Sequence, residues 1–394
     1  MISVDEAARR ISAALSPIDS EIMDIAHLAG RVPIEDLLAQ SHQPPFPVSA
    51  MDGYAVRSAD GGAQRRVIGT APAGHPFTGA VGAGEAVRIF TGGVMPDGAD
   101  AVVIQEDAQL IGDTVSFAAE AVAPHHVRAA GMDFKAGDVL AAKGRRLTAR
   151  DCVLLAAGDI AQARVRRRPR VAIISIGDEL SRPGEKRMPG GIVASSGYGL
   201  SAMIHAWGGA PCDFGVLQDN EEEIATVADA DADLLITLGG ASVGDHDLVQ
   251  KALGTKDFAL AFWKVAMRPG KPLIFGKLGK TPLLGMPGNP VSTLVCAILF
   301  VRPAIAAMLG TGCKTTTLSA RLLADLPANG SRQDYLRAKL DLRGGEYWAE
   351  AFAVQDSSML TTMAQADALI VRPPDAPAAK AGDRVDVIPL DGSN

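Results

Sequence analysis

The sequence has few cysteines and no excess of positive charge, and both shortages exclude classes of protein. Its 394 residues include four cysteines, none in a Cys-x-x-Cys pair: Cys152, Cys212, Cys296 and Cys313. We therefore expect reduced thiols and no structural zinc site. The formal net charge of −7 disfavours a general nucleic-acid binder, which needs a basic surface. An anionic ligand would require a local cluster of cations.

The chain also has no pattern of a signal peptide or membrane span. Its first ten residues carry Asp5, Glu6, Arg9 and Arg10 and no apolar core, which predicts a cytoplasmic protein without a signal peptide. The longest apolar stretch, 291–309, is interrupted by Arg302-Pro303. We expect it to form two buried helical pieces, because proline breaks a helix and the stretch is short for a membrane span.

What the sequence does contain is three apolar runs, each followed by a glycine-rich or acidic loop. Residues 171–176 lead into 177–180, residues 233–238 into 239–247, and residues 282–284 into 285–290. Short β-rich runs separated by amphipathic stretches predict βαβ units and a parallel sheet. Because ligands collect at the carboxyl ends of such strands, the three loops are expected to form one site.

The loops offer metal ligands on one side and anion-binding groups on the other. Asp178 and Glu179, with Asp245 and Asp247, are hard oxygen ligands of the kind Mg²⁺ prefers. The glycine loop at 239–244 lacks the Gly-Lys-Ser/Thr ending of a Walker loop, which excludes a P-loop ATPase reading of it. After Gly288, Asn289 and Pro290 suit the N-cap and first position of a helix over 291–299, whose N–H groups would face an anion. A cluster of cations within eight residues could share that role: Lys264, Arg268 and Lys271.

The sequence on either side of these three runs has other patterns and predicts other structures. Ser3 has the spacing of a capping box and predicts an N-terminal amphipathic helix, and a second helical run is expected over 148–157. Residues 56–140 show short strands with frequent turns, which predicts a β-rich domain. After residue 309 the alternating pattern favours a small C-terminal β-barrel.

Six motifs, in order along nearly the whole chain, resemble the molybdopterin molybdenumtransferase family, the MoeA-like group that includes the gephyrin E domain. They lie at residues 49–55, 91–102, 177–180, 239–247, 268–272 and 287–290. The resemblance implies a multidomain α/β protein with a central parallel-sheet molybdopterin-binding α/β domain. Its predicted parts are an N-terminal helical linking and dimerisation region (1–44 with 141–168), a β-rich second domain (45–140), the α/β domain (169–312) and the C-terminal β-barrel (313–394).

The resemblance also implies an activity in molybdenum cofactor biosynthesis. Members insert molybdate into the dithiolene of adenylylated molybdopterin and release AMP, assisted by Mg²⁺ or another divalent ion. The implied assembly is a homodimer, with a cleft between the α/β domain of one chain and the β-rich domain of the other. A separate molybdopterin adenylyltransferase is a further expected partner, whereas nucleic acid and membranes are not.

Functional positions carry over residue by residue. The resemblance implies catalytic roles for Asp52, Glu179, Asp219 and Asp247, the last three also as metal ligands. The expected substrate-binding and anion-binding positions are Thr91, Asp100, Asp133, Gly239, Gly240, Ser242, Gly244, Lys264, Arg268, Lys271, Pro287, Gly288, Asn289, Arg337 and Ser357. Arg268 departs from the lysine common in the family, which keeps the charge but changes the donor geometry.

Two other functions fit parts of the chain. A molybdopterin adenylyltransferase would share the α/β domain, but the long flanking regions disfavour it. A gephyrin-like scaffold without catalysis would not need the retained carboxylates Asp52, Glu179, Asp219 and Asp247.

Overall fold

A computed structural model describes residues 1–122, 124–239, 257–312 and 316–390. The chain forms two compact units, one made of Met1–Glu21 and Arg166–Asn394 and the other of Ile22–Val165. We call them the outer-segment unit and the central-segment unit, after the parts of the chain that form them. The boundaries of the four predicted domains stay predictions.

The central-segment unit is built on a six-stranded mixed sheet, in the region where short strands with frequent turns predict a β-rich domain. Val56 and Val103 face one apolar cluster and Ala55 and Val102 face another, so the strands carry a core on both faces. The strands, in spatial order, are Ala101–Ile104, Gly53–Val56, Glu85–Ile89, Gln64–Ala71, Thr114–Ser116 and Gln109–Ile111.

The rest of this unit, in its described residues, has one α-helix and short strand pairs. The helix is Ala149–Ala157, and Thr148 caps it through a reciprocal capping box with Asp151. Leu37–Leu38 pairs with Val139–Ala141, and Val48–Ser49 pairs with Val127–Arg128. Further elements are the strands Ser20–Asp24 and Gln162–Arg166 at the unit boundary and the 3₁₀ turns Ile25–His27, Ser58–Asp60, Gln105–Asp107, Ala119–Ala121 and Pro124–His126.

The outer-segment unit contains the predicted parallel sheet. Four neighbouring strands are parallel, and two antiparallel strands that the sequence pattern does not reveal extend the sheet at one edge. In spatial order the strands are Ala210–Leu217, Arg170–Ile176, Leu234–Leu238, Thr281–Met286, Ile274–Leu278 and Phe258–Trp263. The three apolar runs of the sequence analysis are therefore adjacent parallel strands. A short parallel pair, Leu180–Ser181 with Ile192–Val193, follows the second of these strands.

The outer-segment unit also contains helices within its described residues. They are Val4–Ala13, Ser196–Ala206, Glu221–Ala225, the run from Pro290 to Leu309 and Leu360–Gln365, with a 3₁₀ turn at Thr226–Asp229. The run from Pro290 to Leu309 corrects the prediction of two separate pieces. It is one continuous helix whose middle, Ala297–Val301, is π-helical, and the wider turn accommodates Pro303, which has no N–H to donate.

That helix is long and apolar enough to cross a membrane by length and composition alone, and 78% of an apolar 18-residue stretch within it is buried inside the protein. Burial of this extent is typical of a core helix, which supports the prediction that the stretch is buried.

The C-terminal region is a closed five-stranded barrel, as the alternating pattern predicts. Its strands, in spatial order, are Gln333–Arg343, Glu346–Ala351, Leu318–Leu322, Arg384–Pro389 and Ala368–Arg372, and the last pairs back onto the first. A short strand, Met267–Arg268, lies parallel to the start of Gln333–Arg343. The segment with the three predicted anion-binding cations is thereby joined to the barrel.

Candidate functional site

The main cavity of the outer-segment unit lies at the carboxyl ends of the parallel strands. Its volume is about 750 Å³, within the range of small-molecule sites. All three predicted loops reach it, and so does the loop that precedes the last helix of the barrel. The residues that line it include Glu179, Asp219, Gly239, Gly288, Asn289 and Ser358.

The backbone conformation at position 239, at the edge of this cavity, requires glycine. Its φ is +90°, and a Cβ at this position would lie 2.5 Å from the carbonyl oxygen of Ile176 on the neighbouring strand. A Cβ at Gly288 would lie 3.4 Å from the Cα of Gly239, which is an ordinary contact. The loops after two adjacent strands therefore approach each other through glycine backbone, which a ligand could also approach closely.

The acidic side of the cavity carries two of the three predicted metal ligands. Glu179 and Asp219 both line it, and the N–H of Asp219 donates to Oδ1 of Asp178 at 2.9 Å. Asp178 thus holds the segment that presents Asp219. Within the described ranges no group of three or more His, Cys, Asp or Glu side chains is placed to hold a metal ion. The third predicted ligand, Asp247, lies outside those ranges.

Another part of the lining comes from Gly288, Asn289 and Pro290. Asn289 occupies the N-cap position of the helix that starts at Pro290, but its side chain makes no capping bond, contrary to the usual role of an N-cap asparagine. Its Oδ1 is buried and has no hydrogen-bond partner among the described residues. The Pro287 carbonyl accepts the hydroxyl of Thr293 at 2.6 Å, which fixes the loop on the first turn of the helix.

The three predicted cations lie on one segment but have separate local partners. The Nζ of Lys264 lies 3.6 Å from the centroid of the Trp263 ring, and Lys264 has a positive φ of 68°. Arg268 donates to Asp334, which is buried on the first barrel strand. None of the three cations, Lys264, Arg268 or Lys271, is among the described residues that line the main cavity.

Arg337 is almost completely buried on the first barrel strand. Its Nη2 donates to the carbonyl of Asp356 at 2.9 Å, while its Nε has no partner within the described part of the chain. Burial lowers the pKa of this guanidinium, and the nearby Asp356 carboxylate partly opposes the shift. The predicted Ser357 follows Asp356, but its neighbour Ser358 is the serine that lines the cavity.

In the central-segment unit, Asp52 and Thr91 are in direct contact. The N–H and the hydroxyl of Thr91 both donate to Oδ1 of Asp52, at 2.7 and 2.8 Å. Both hydrogen bonds lower the pKa of Asp52, and the one from the backbone N–H of Thr91 has the larger effect. This carboxylate is therefore held ionised.

The other two predicted aspartates of this unit are placed differently. Asp100 lies at the opposite end of the Gly53–Val56 strand from Asp52, roughly 17 Å away at the usual rise per residue. It accepts the N–H and hydroxyl of Ser58, which lower its pKa. Asp133 lines a second cavity of about 640 Å³ together with Gly92 and Arg128.

Family models match the chain in three consecutive segments. Residues 2–158 match the MoeA N-terminal region (domain I and II), 172–307 the "Probable molybdopterin binding domain" and 319–390 the MoeA C-terminal region (domain IV). A molybdopterin molybdenumtransferase from Haemophilus influenzae is 34% identical over 99% of both chains. The chain belongs to the molybdopterin molybdenumtransferase family. It is thus a transferase of molybdenum cofactor biosynthesis.

Further relatives agree with this membership of the molybdopterin molybdenumtransferase family. The molybdopterin molybdenumtransferase of a Nostoc species is 36% identical over 90% of this chain and 85% of its own. A crystal structure of the molybdopterin biosynthesis MoeA protein from Pyrococcus horikoshii has a TM-score of 0.83 and 27% identity, and covers 98% of this chain and 99% of its own.

Some predicted site residues lie outside the described residues, and some cavity residues were not predicted from the sequence. The predicted positions Gly240, Ser242 and Gly244, like Asp247, lie outside the described residues. Sequence reasoning missed Ser358 and Leu360, which line the main cavity from the barrel. The only signal for them was their position next to Ser357, because a lone serine and leucine after a strand have no distinctive pattern.

Proposed function

We propose that this chain inserts molybdate into the dithiolene of adenylylated molybdopterin and releases AMP. The observation that carries the proposal is the single cavity in which the carboxylates of Glu179 and Asp219 lie with the glycine backbone of Gly239 and the amide of Asn289. Acidic groups for a metal and polar groups for a pterin are what this reaction needs in one place. The relatives' names supply the substrate class.

Mg²⁺ fits the acidic side of the cavity. Glu179 and Asp219, with Asp247, would hold it, since carboxylates are its preferred protein ligands. When bound, Mg²⁺ supplies positive charge against the adenylate phosphates. The carboxylates themselves orient the ion, and Asp178 keeps Asp219 in place through its backbone.

The pterin would bind on the side of Asn289. Its buried Oδ1 has no described partner, and leaving a buried acceptor unpaired costs about 1–3 kcal/mol, so a pterin N–H group that donates to it would be bound selectively. Gly239 and Gly288 allow close approach of the ligand to the backbone, and we assign the same role to Gly240, Ser242 and Gly244.

Molybdate and the pterin phosphate require cations and donors. We assign anion binding to Lys264, Lys271 and Arg337, with Arg268 as a cation shared with Asp334. The buried Nε of Arg337 has no described acceptor, which an oxyanion would satisfy. Pro287 and Ser357 complete this proposed group.

The central-segment unit would contribute Asp52 as a catalytic carboxylate, with Thr91, Asp100 and Asp133 in substrate binding. We propose that it does so in a cytoplasmic homodimer. Leu38 and Val139 stand opposite each other on paired strands with 42% and 55% of their surfaces exposed, which suits burial against a second copy.

The test is release of AMP from adenylylated molybdopterin, measured with and without molybdate at fixed Mg²⁺. We expect wild-type release to require molybdate, and Glu179→Gln to reduce it by at least 100-fold, about the effect of removing one strong electrostatic contact. Glu350→Gln, at an exposed barrel position, is the matched control and should behave as wild type. Molybdate-independent release, or full activity of Glu179→Gln, would overturn the proposal.

A further inference from the structure

The loop from Phe352 to Met359 connects a barrel strand to the helix Leu360–Gln365 and supplies one wall of the main cavity. Ser358, near its end, and Leu360, the first residue of the helix, line that cavity together with the loops of the parallel sheet. Regular pairing of the strand that precedes the loop ends where Ala351 pairs with Ala338. One more backbone bond, from the Phe352 N–H to the Arg337 carbonyl at 3.0 Å, extends this pairing, and further contacts hold the rest of the loop where it meets the ligand site.

The side-chain amide of Gln355 supplies three of these contacts. Its Oε1 accepts the N–H of Arg337 at 3.0 Å, and its Nε2 donates to the carbonyls of Arg337 at 2.9 Å and Phe352 at 2.8 Å. The amide thus bonds both backbone groups of Arg337 and shares the carbonyl with the N–H of Phe352. All of these bonds are made to backbone, so they fix where the loop begins.

A second set of bonds connects this anchor to the cavity. Nη2 of Arg337 donates to the carbonyl of Asp356, and Oδ1 of Asp356 accepts the N–H and hydroxyl of Ser358 at 2.8 and 2.6 Å. A continuous series of hydrogen bonds therefore runs from Gln355 to the cavity wall at Ser358.

We propose that Gln355 is a positioning residue that sets the affinity of the main cavity for the pterin substrate. Gln355 is not among the lining residues of the described cavity and acts by holding Ser358 and Leu360 where they complete its wall. The inference rests on the proposed function, because it assigns the cavity to the pterin.

The test compares Gln355→Ala and Gln355→Glu with wild type for molybdopterin binding and for KM and kcat. Alanine removes all three bonds, while glutamate keeps the acceptor for the Arg337 N–H but turns an oxygen towards two carbonyl oxygens. We expect both variants to raise the Kd and KM on the order of tenfold, as expected for losing hydrogen bonds that order the site, with kcat within twofold. A purely structural role would lower the active fraction and the melting temperature and leave KM unchanged.

Gln365→Ala, at an exposed position of the adjacent helix, is the matched control and should match wild type. The double variant Gln355→Ala with Ser358→Ala should bind no more weakly than the weaker single variant, because both changes act through one contact. Additive effects, or an unchanged Kd in Gln355→Ala, would overturn the positioning role alone. Wild-type protein that does not bind molybdopterin would overturn the proposed function as well.

Discussion

One carboxylate oxygen of Asp52 accepts both the backbone N–H and the hydroxyl of Thr91, although 39 residues separate them in the chain. Asp52 precedes the Gly53–Val56 strand and Thr91 follows the Glu85–Ile89 strand, and these strands are antiparallel neighbours. The sheet thus brings together two residues that the family resemblance marks separately. The carboxylate is held both ionised and oriented.

The first prediction concerns the ionisation of Asp52. Thr91→Val removes the hydroxyl donor and keeps the backbone donor, so the pKa of Asp52 should rise towards the ordinary value of about 3.9. A lowered native pKa stabilises the fold at pH values above the unfolded pKa, and this contribution is lost on acidification. The free energy of unfolding of the variant should therefore fall less than that of wild type as the pH drops. Carboxyl NMR titration measures the shift. Asp100, held by Ser58, serves as the internal control and should not change.

The second prediction concerns the glycine backbone of the main cavity. Gly239→Ala places a Cβ against the Ile176 carbonyl at a positive φ, so the loop must move. We expect molybdopterin affinity to fall at least tenfold, an effect of about 1.4 kcal/mol, by equilibrium titration. Gly330→Ala, where a Cβ meets nothing within 4 Å, should bind normally. Equal affinities of the two variants would show that the close approach of the loops does not shape the site.

The third prediction separates the two roles of Arg268. Arg268→Ala leaves the buried Asp334 carboxylate without this partner, and we expect a loss of about 2 kcal/mol in the free energy of unfolding, measured with urea. Arg268→Lys keeps a charge and should recover part of that loss. If both variants keep wild-type stability, the pair contributes nothing to the fold and Arg268 is available to the substrate alone.

The fourth prediction is a pH dependence of stability. Two hydrogen bonds from Arg145, with the capping bonds of Thr148, hold the pKa of Asp151 well below its usual range. Asp151→Asn should therefore cost about 1 kcal/mol at pH 7, a typical value for a lost cap. The native pKa is lowered, so the contribution is complete above about pH 4 and falls as the pH drops further.

Urea unfolding at pH 7 and pH 3 provides the measurement for Asp151. The difference in the free energy of unfolding between wild type and Asp151→Asn should be smaller at pH 3 than at pH 7. Asp107→Asn, on an exposed 3₁₀ turn, is the control and should show no difference at either pH. A difference that grows at pH 3 would contradict the assignment.

The sequence predicts those parts of the site that follow from strand order. Each apolar run ends where its loop begins, so the meeting of the Glu179, Gly239 and Asn289 loops follows from a parallel sheet alone. The contribution of Ser358 does not, because it depends on how the barrel packs and on three bonds of one glutamine amide. The pairing of Arg268 with Asp334 was likewise hidden, since a parallel contact between residues 66 positions apart leaves no local pattern.

The most direct test of the central claim is recovery of active molybdenum cofactor. Purified protein is incubated with adenylylated molybdopterin, molybdate and Mg²⁺, and the product is supplied to a molybdoenzyme prepared without its cofactor. We predict that enzyme activity appears only when molybdate and this protein are both present. Formation of adenylylated molybdopterin from molybdopterin and ATP, without any active cofactor, would contradict the account and identify an adenylyltransferase instead.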